Sequence, residues 1–338
     1  MSISQIVEPP IADFQLQAAA FHRDFITGLR THPRKLSPKY LYDKRGSDLF
    51  EQICTLDEYF PTRTEIGILR QYQEEISKAV GSHCRIVEFG SGSSVKTRLL
   101  LEILNEPIAY LPIEISRQAL QAAALQLVKE FPALEILPIC ADYTSEFALP
   151  VPDARYAHTV VYFPGSSIGN FETHQAVQFL DRARKFCGPD CGLLIGVGLE
   201  TDPDVLIRAY DDAAGVTAAF SRNILYRAQR ELDAQVAPEA FQHEAIYNRA
   251  AKRIEIRLVS RRPQAISVQD EVFAFSTGDA IITEYSHKFT IPRFQRIARR
   301  AGFDLRRAWT DPDQRFAVIY LEASPHSIEG IPAPQPNP

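Results

Sequence analysis

The chain has 338 residues, 45% of them apolar, and a formal net charge of −5. That length suggests about two domains of ordinary size, with enough apolar material for a core in each. The acidic balance argues against a nucleic-acid partner, and no apolar run approaches the ~20 residues that would span a bilayer.

The start, MSISQIVEPPIADF, has no basic segment leading into an apolar one, so no secretory leader is expected and residues 1–14 are read as flexible. From about residue 63 the pattern RTEIGILRQYQEEISKAV predicts one long helix. A β/α series follows. CRIVEFG, AYLPIEIS, LEILPICADY, YAHTVVYF and GLLIGVGLE read as strands, and VKTRLLLEIL, RQALQAAALQLVKEF and THQAVQFLDRARKFC as helices. Such alternation predicts a doubly wound, mostly parallel sheet. Residues 202–230 read as one helical stretch. FQHEAIYN, RIEIRLVSRR, AISVQDEVFAF and DAIITEYSHKF read as antiparallel strands of an insertion spanning about 200–290. IPRFQRIARRAGF is a helix, and DLRRAWT and RFAVIYLEA a hairpin closing the sheet edge. The tail SPHSIEGIPAPQPNP is rich in proline and expected to be disordered. The five cysteines are scattered, with Cys187 and Cys191 of CGPDC the only close pair. They read as reduced thiols of a cytoplasmic protein, with too few neighbouring ligands for a metal.

The loop VEFGSGSSVKT admits three ligands. A dinucleotide fingerprint needs a third glycine at position 95, and a Walker A loop needs glycine directly before Lys96-Thr97; Val95 stands there in both alignments. S-adenosylmethionine (SAM) has no pyrophosphate and needs no third glycine. Its ammonium group suits Glu88, its ribose Glu114 at the next strand end, and its adenine amino group Asp142 after the third strand, while Gly90 and Gly92 let the backbone approach. For a second ligand, Asn170 follows the fourth strand in YFPGSSIGNF and offers both donors and an acceptor. Tyr210 lies on a helix of the insertion. As a strand, ITEYSHKF puts Ile282, Glu284, Ser286 and Lys288 on one face.

Five segments give the chain a resemblance along nearly its whole length: SPKYLYDKRGSDLFEQICTLDEYFPTRTE (37–65), EFGSGSSVKTRLLLE (88–102), GSSIGNF (165–171), AYDDAAGVTAAFSRNIL (209–225) and TEYSHKF (283–289). The chain resembles the histidine-specific, SAM-dependent methyltransferases of ergothioneine biosynthesis. The resemblance implies a class I methyltransferase fold: a Rossmann-like seven-stranded sheet (61–199 and 290–323) with a C-terminal hairpin. An α+β substrate-binding domain (15–60 and 200–289) and a disordered tail (324–338) complete it. It implies three methyl transfers from SAM to the α-amine of L-histidine, giving hercynine, without a metal. Tyr59, Asn170 and Tyr210 would hold the amino and carboxylate ends, Glu284 and Ser286 the imidazole, and Tyr42 and Phe50 the pocket wall. Asn170 and Tyr42 would orient the amine. Gly90, Lys96, Glu114, Asp142 and Tyr143 would contact SAM. Two positions depart from the family pattern: Ile256 where methionine is usual beside the imidazole, and Glu114 where aspartate is usual. A monomer without nucleic-acid or membrane partners is expected. Methylation of another amino acid such as tryptophan, and a non-catalytic amino-acid or SAM sensor, stay open on the sequence.

Overall fold

The structure is a computed structural model that describes residues 9–14, 18–92, 95–145, 147–188 and 190–324. Residues 1–8 of the expected flexible start, Ser93 and Ser94 of the glycine loop, and 325–338 of the tail lie outside the described residues.

The chain opens with strand β1 (Ala12–Asp13), helix α1 (Ala18–Arg30), strand β2 (Arg34–Lys35) and helix α2 (Lys44–Thr55). Asp43 caps α2: its carboxylate accepts from the Gly46 N–H at 2.8 Å. The pattern from residue 63 forms two helices rather than one, α3 (Phe60–Gln71) and α4 (Gln73–Val80), because Tyr72 leaves helical geometry at φ −111°, ψ 23°. The β/α series runs β3 (Cys84–Phe89), α5 (Val95–Ile103), β4 (Ala109–Glu114), α6 (Arg117–Glu130), β5 (Glu135–Ile136), β6 (Ile139–Cys140), β7 (His158–Phe163), α7 (Thr173–Cys187) and β8 (Cys191–Gly198). The third strand expected from LEILPICADY is split into β5 and β6, since Pro138 between them has no N–H for the ladder.

The stretch 202–230 is also two helices, α8 (Pro203–Tyr210) and α9 (Val216–Leu232). Asp212 makes the break, its carboxylate accepting from the Val216 and Thr217 N–H groups at 2.9 and 2.8 Å. Then come β9 (Phe241–Asn248) and β10 (Arg253–Ser260). AISVQDEVFAF folds back as a hairpin, β11 (Gln264–Val268) and β12 (Glu271–Phe275), around Gln269 at φ 50°. The chain closes with β13 (Ala280–His287), α10 (Ile291–Arg300), β14 (Phe303–Thr310) and β15 (Phe316–Ala323).

Among the described residues nine strands, not seven, form the large sheet, in the order β1-β6-β4-β3-β7-β8-β15-β14 with β5 also beside β4. The two additions are the split of the third strand and β1, which pairs in parallel with β6. Residues 12 and 13 of the expected flexible start are thus part of the sheet. Only β15 and β14 run antiparallel to their neighbours. Alternation along β3 sends Val87 and Phe89 to a core under α7 and α10, and Cys84 and Ile86 to a second core under α3 to α6. A third core joins Phe21 and Phe25 of α1, Ile53 of α2 and Phe220 and Ile224 of α9 to Phe241, Leu258 and Ile281 of the strands. The N-terminal segment and the insertion therefore share one apolar interior. Its sheet runs β2-β13-β10-β9.

Candidate active site

The glycine loop leaves β3 with Gly90 at φ +74° and Gly92 at φ +46°, conformations that favour glycine. Among the described residues, a Cβ at Gly92 would meet nothing within 4 Å, and one at Gly90 would meet the Tyr143 ring alone, at 3.8 Å. The two glycines line an open cradle. Glu114, at the end of β4, closes its rim: one carboxyl oxygen accepts from Ile115 and Ser116 N–H at 2.8 and 3.0 Å, the other from Gly92 N–H at 3.3 Å. Burial raises its proton affinity. Asp142 accepts from the Thr144 N–H at 2.8 Å and from the Lys39 ammonium at 3.2 Å. The Tyr143 ring packs against Phe89, Phe163 and Phe179.

Glu88 and Lys96 face other partners. By alternation Glu88 lies in the core on the α5 side, where its Oε2 accepts from Tyr110 at 2.5 Å and Thr97 at 2.7 Å, and burial pushes its carboxyl up to about 8. Lys96 donates to the fully buried Glu65 at 2.7 Å, and Glu65 also accepts from the Gly165 N–H at 2.9 Å. The ion pair ties α3 to α5, and the Gly165 hydrogen bond ties α3 to the loop after β7.

That loop carries a 3-10 turn, Ser167–Asn170, set directly on β13. The turn can lie so close because position 169 is glycine; a Cβ there would stand 2.7 Å from the His287 carbonyl oxygen. Asn170 is thereby brought beside Glu284, and its amide favours the ionised carboxylate. A β-bulge between Ile282 and Glu284 re-aims the strand at this point, a common device beside functional sites. Ile256 of β10 is the register partner of Glu284 and is buried. Burial pushes the Glu284 carboxyl up to about 7, with the Lys288 charge and the Asn170 amide pulling the other way.

Two residues on, the Ser286 hydroxyl is 2.8 Å from the Tyr210 hydroxyl, and the Lys288 ammonium donates to both, each at 2.8 Å. Tyr210 ends α8, and its carbonyl accepts from His243 Nε2 at 2.9 Å. An aromatic wall continues from it edge to face: Tyr210–Tyr59 at 6.0 Å, Tyr59–Phe50 at 6.2 Å and Phe50–Tyr42 at 5.5 Å. Burial and neighbouring acids, Glu284 among them, push the Tyr42 and Tyr59 phenols well above their usual range, so both stay protonated at neutral pH. The site is a glycine cradle rimmed by acids, facing an aromatic pocket floored by one carboxylate and a lysine-bound hydroxyl pair.

A family model described as histidine-specific, SAM-dependent methyltransferase matches residues 21–323. The chain belongs to this family. It is similar to a histidine N-alpha-methyltransferase of Mycolicibacterium smegmatis, 39% identical over 306 residues that cover 89% of this chain and 94% of the relative. That of Mycobacterium tuberculosis is 38% identical over 307 residues, 88% and 94% of the two chains. An N-methyltransferase, imqF, of Aspergillus flavus is 26% identical over 323 residues, 90% and 86%. A solved SAM-dependent methyltransferase from Clostridium acetobutylicum aligns with 80% of this chain and 93% of its own, at TM-score 0.43 and 6% identity. The methyltransferase takes its methyl groups from SAM, and the open cradle with its rim of acids fits that ligand.

The structure links Tyr42, Phe50, Tyr59 and Tyr210 of the methyltransferase ring to ring, Tyr210 to Ser286, and Ile256 and Asn170 to Glu284, and it sets Gly92 on Glu114 and Gly90 near the Tyr143 ring. Four positioning residues escape sequence reasoning: Lys39, Glu65, His243 and Lys288. Lys288 shares the alternation of Glu284 and Ser286, the one signal available; the other three act across 30 residues or more. Among the described residues no group of three or more His, Cys, Asp or Glu could hold a metal, and no helix is long and apolar enough to cross a membrane.

Proposed function

We propose that the chain transfers three methyl groups to the α-amine of L-histidine, giving N-alpha-trimethylhistidine (hercynine), a step of ergothioneine biosynthesis. The observation that carries the reading is the floor of the pocket. Glu284 offers an acceptor and the Ser286–Tyr210 pair a hydroxyl, the two kinds of group that the two nitrogens of an imidazole call for. A site built on buried polar groups rejects ligands that leave them unpaired, by roughly 10⁴–10⁵.

Bound at the cradle, SAM supplies a methyl group activated by the sulfonium. The chain's part is alignment. Asn170 turns its amide N–H toward Glu284, so its carbonyl oxygen faces the amine and fixes the direction of the nitrogen lone pair. Tyr59 holds the carboxylate end as a hydrogen-bond donor, with the Tyr210 ring packed edge to face beside it. Tyr42, held protonated, orients the amine rather than abstracting its proton. As methyl groups accumulate, the aromatic wall receives the growing ammonium through its ring faces. Glu114 and Asp142 accept from the ribose and adenine, and Lys96 reaches SAM from its ion pair with Glu65. The substrate domain, 15–60 with 200–289, closes over the SAM-binding domain in this reading, and the enzyme works as a cytoplasmic monomer.

Mass spectrometry of purified enzyme with SAM and L-histidine tests the reading. Successive addition of three methyl groups on the α-nitrogen is expected. Methylation of tryptophan in preference to histidine, or SAM binding without turnover, would overturn it.

A further inference from the structure

Lys288 is 1% exposed, yet it enters no ion pair among the described residues. Its ammonium instead donates to the Tyr210 and Ser286 oxygens at 2.8 Å each and lies 4.7 Å from the centre of the Tyr210 ring. Glycine at position 198 makes room for it, since a Cβ there would stand 3.3 Å from Nζ. A buried ammonium with no carboxylate in direct contact is costly, and its neighbours show what it does.

Lysine donates and never accepts. Each hydroxyl therefore gives Lys288 a lone pair. The two hydroxyls also share one hydrogen bond, and a phenol is the better donor of the two, so Tyr210 donates to Ser286. Ser286 then accepts twice, from Lys288 and from Tyr210, and its own hydrogen is left for the ligand. Without Lys288, a serine hydroxyl could equally accept.

Resting on the histidine reading above, we propose that Lys288 is a specificity-determining positioning residue: it makes Ser286 a donor and keeps Glu284 a carboxylate, so the pocket binds the neutral imidazole and excludes the imidazolium. One N–H of the neutral ring meets Glu284, and the bare ring nitrogen meets the Ser286 hydrogen. An imidazolium would turn a second N–H against that hydrogen. The groups that face Glu284 are the phenols of Tyr42, Tyr59 and Tyr143, all uncharged at neutral pH, and Lys288. Of these Lys288 carries the charge, and it favours the ionised carboxylate.

Two variants remove the charge, Lys288→Met and, with an amide still able to donate, Lys288→Gln. The measurement is kcat and KM for L-histidine against pH. It is repeated with 2-fluoro-L-histidine, whose ring stays neutral and so takes the ring's titration out of the profile, leaving the α-amine titration common to wild type and variants. At neutral pH KM for histidine should rise tenfold or more in both variants, with KM for SAM within about twofold of wild type. The acid limb of kcat/KM should move up by about one pH unit for both substrates. Lys288→Arg, which keeps charge and donors, should leave the limb in place. A folded uncharged variant whose histidine KM and acid limb match wild type overturns this inference alone. Wild-type enzyme that turns over no histidine overturns the function reading, and this inference with it.

Discussion

Glu284 is held in a balance that its neighbours set. Burial drives its carboxyl up to about 7, while Asn170 and Lys288 favour the ionised form that accepts an N–H. Replacing it with alanine removes a charge-assisted hydrogen bond worth about 1.5–3 kcal/mol. It also removes the penalty against rings that cannot satisfy a carboxylate. Glu284→Ala should therefore lower kcat/KM for histidine at least tenfold and raise the relative rate on tryptophan, helped by the apolar Ile256 beside it. The ratio of kcat/KM for the two substrates, wild type against variant, checks this; an unmoved ratio would place Glu284 outside the ring site. Glu88 makes a different prediction. Its folded-state value near 8 lies above the ordinary 4.5, so between those limits the folded chain binds more protons than the unfolded one. The stability this contributes is full below about pH 4.5 and is lost as pH rises through 8. Glu88→Gln, whose carbonyl can still accept from Tyr110 and Thr97, should flatten that slope and stabilise the protein at pH 8.5 by about 2–4 kcal/mol. Urea unfolding at pH 5 and 8.5 reads it directly.

At the scale of elements, the turn carrying Asn170 and the strand carrying Glu284 form one unit because Gly169 lets them touch. Gly169→Ala places a methyl group 2.7 Å from the His287 carbonyl oxygen, and the turn must lift. Overpacking of this kind costs about 1–3 kcal/mol. The expected result is a tenfold or larger loss of kcat/KM for histidine while calorimetry still finds SAM binding near wild type. Loss of both in parallel would mean the turn supports the whole fold instead. Apolar periodicity makes the parallel strands, the closing hairpin and the site strands legible in the sequence. Breaks made by single polar or prolyl groups are not. Tyr210 reads as mid-helix because the helical spacing runs through 202–230; only in three dimensions does the Asp212 carboxylate take the N–H groups of the next helix and leave Tyr210 at a helix end. Pro138 and Gln269 interrupt apolar runs in the same way. Glu88 shows the converse. Its place beside the glycine loop is plain, but which face it turns to follows from the strand's alternation against Tyr110. Lys39 and Glu65 lie 103 and 31 residues from the groups they bind, beyond the reach of any local pattern.

Across the whole molecule, those two long-range pairs connect the cofactor cradle to the parts of the chain that wall the pocket. Lys39 joins Asp24 and Asp142, and Glu65 joins Lys96 and Gly165. Occupation of the cradle should therefore be felt in the pocket, and by linkage the reverse. Lys39→Met removes the first tie without entering the site. Its partly exposed ion pairs are worth about 1 kcal/mol at most, so the gain in histidine affinity caused by S-adenosylhomocysteine should shrink by up to about fivefold. Histidine binding alone should be little changed. Calorimetric titration of histidine with and without S-adenosylhomocysteine gives both numbers, and an unchanged gain would remove Lys39 from the coupling.

The insertion leaves the large sheet at Leu199 and re-enters it at Phe289, and these two points are clipped together: Phe289 N–H donates to the Gly198 carbonyl at 3.0 Å, and Glu200 N–H to the Phe289 carbonyl at 2.9 Å. Mechanically this is a fulcrum. A lever turning on it moves least near the pivot and most at its tip. Lys288 and Ser286 lie within three residues of the pivot, while Tyr42 and Phe50 belong to the N-terminal segment and join the floor through Tyr59 and Tyr210. Opening the mouth to admit an amino acid would then swing the aromatic wall and leave the floor that reads the imidazole almost still.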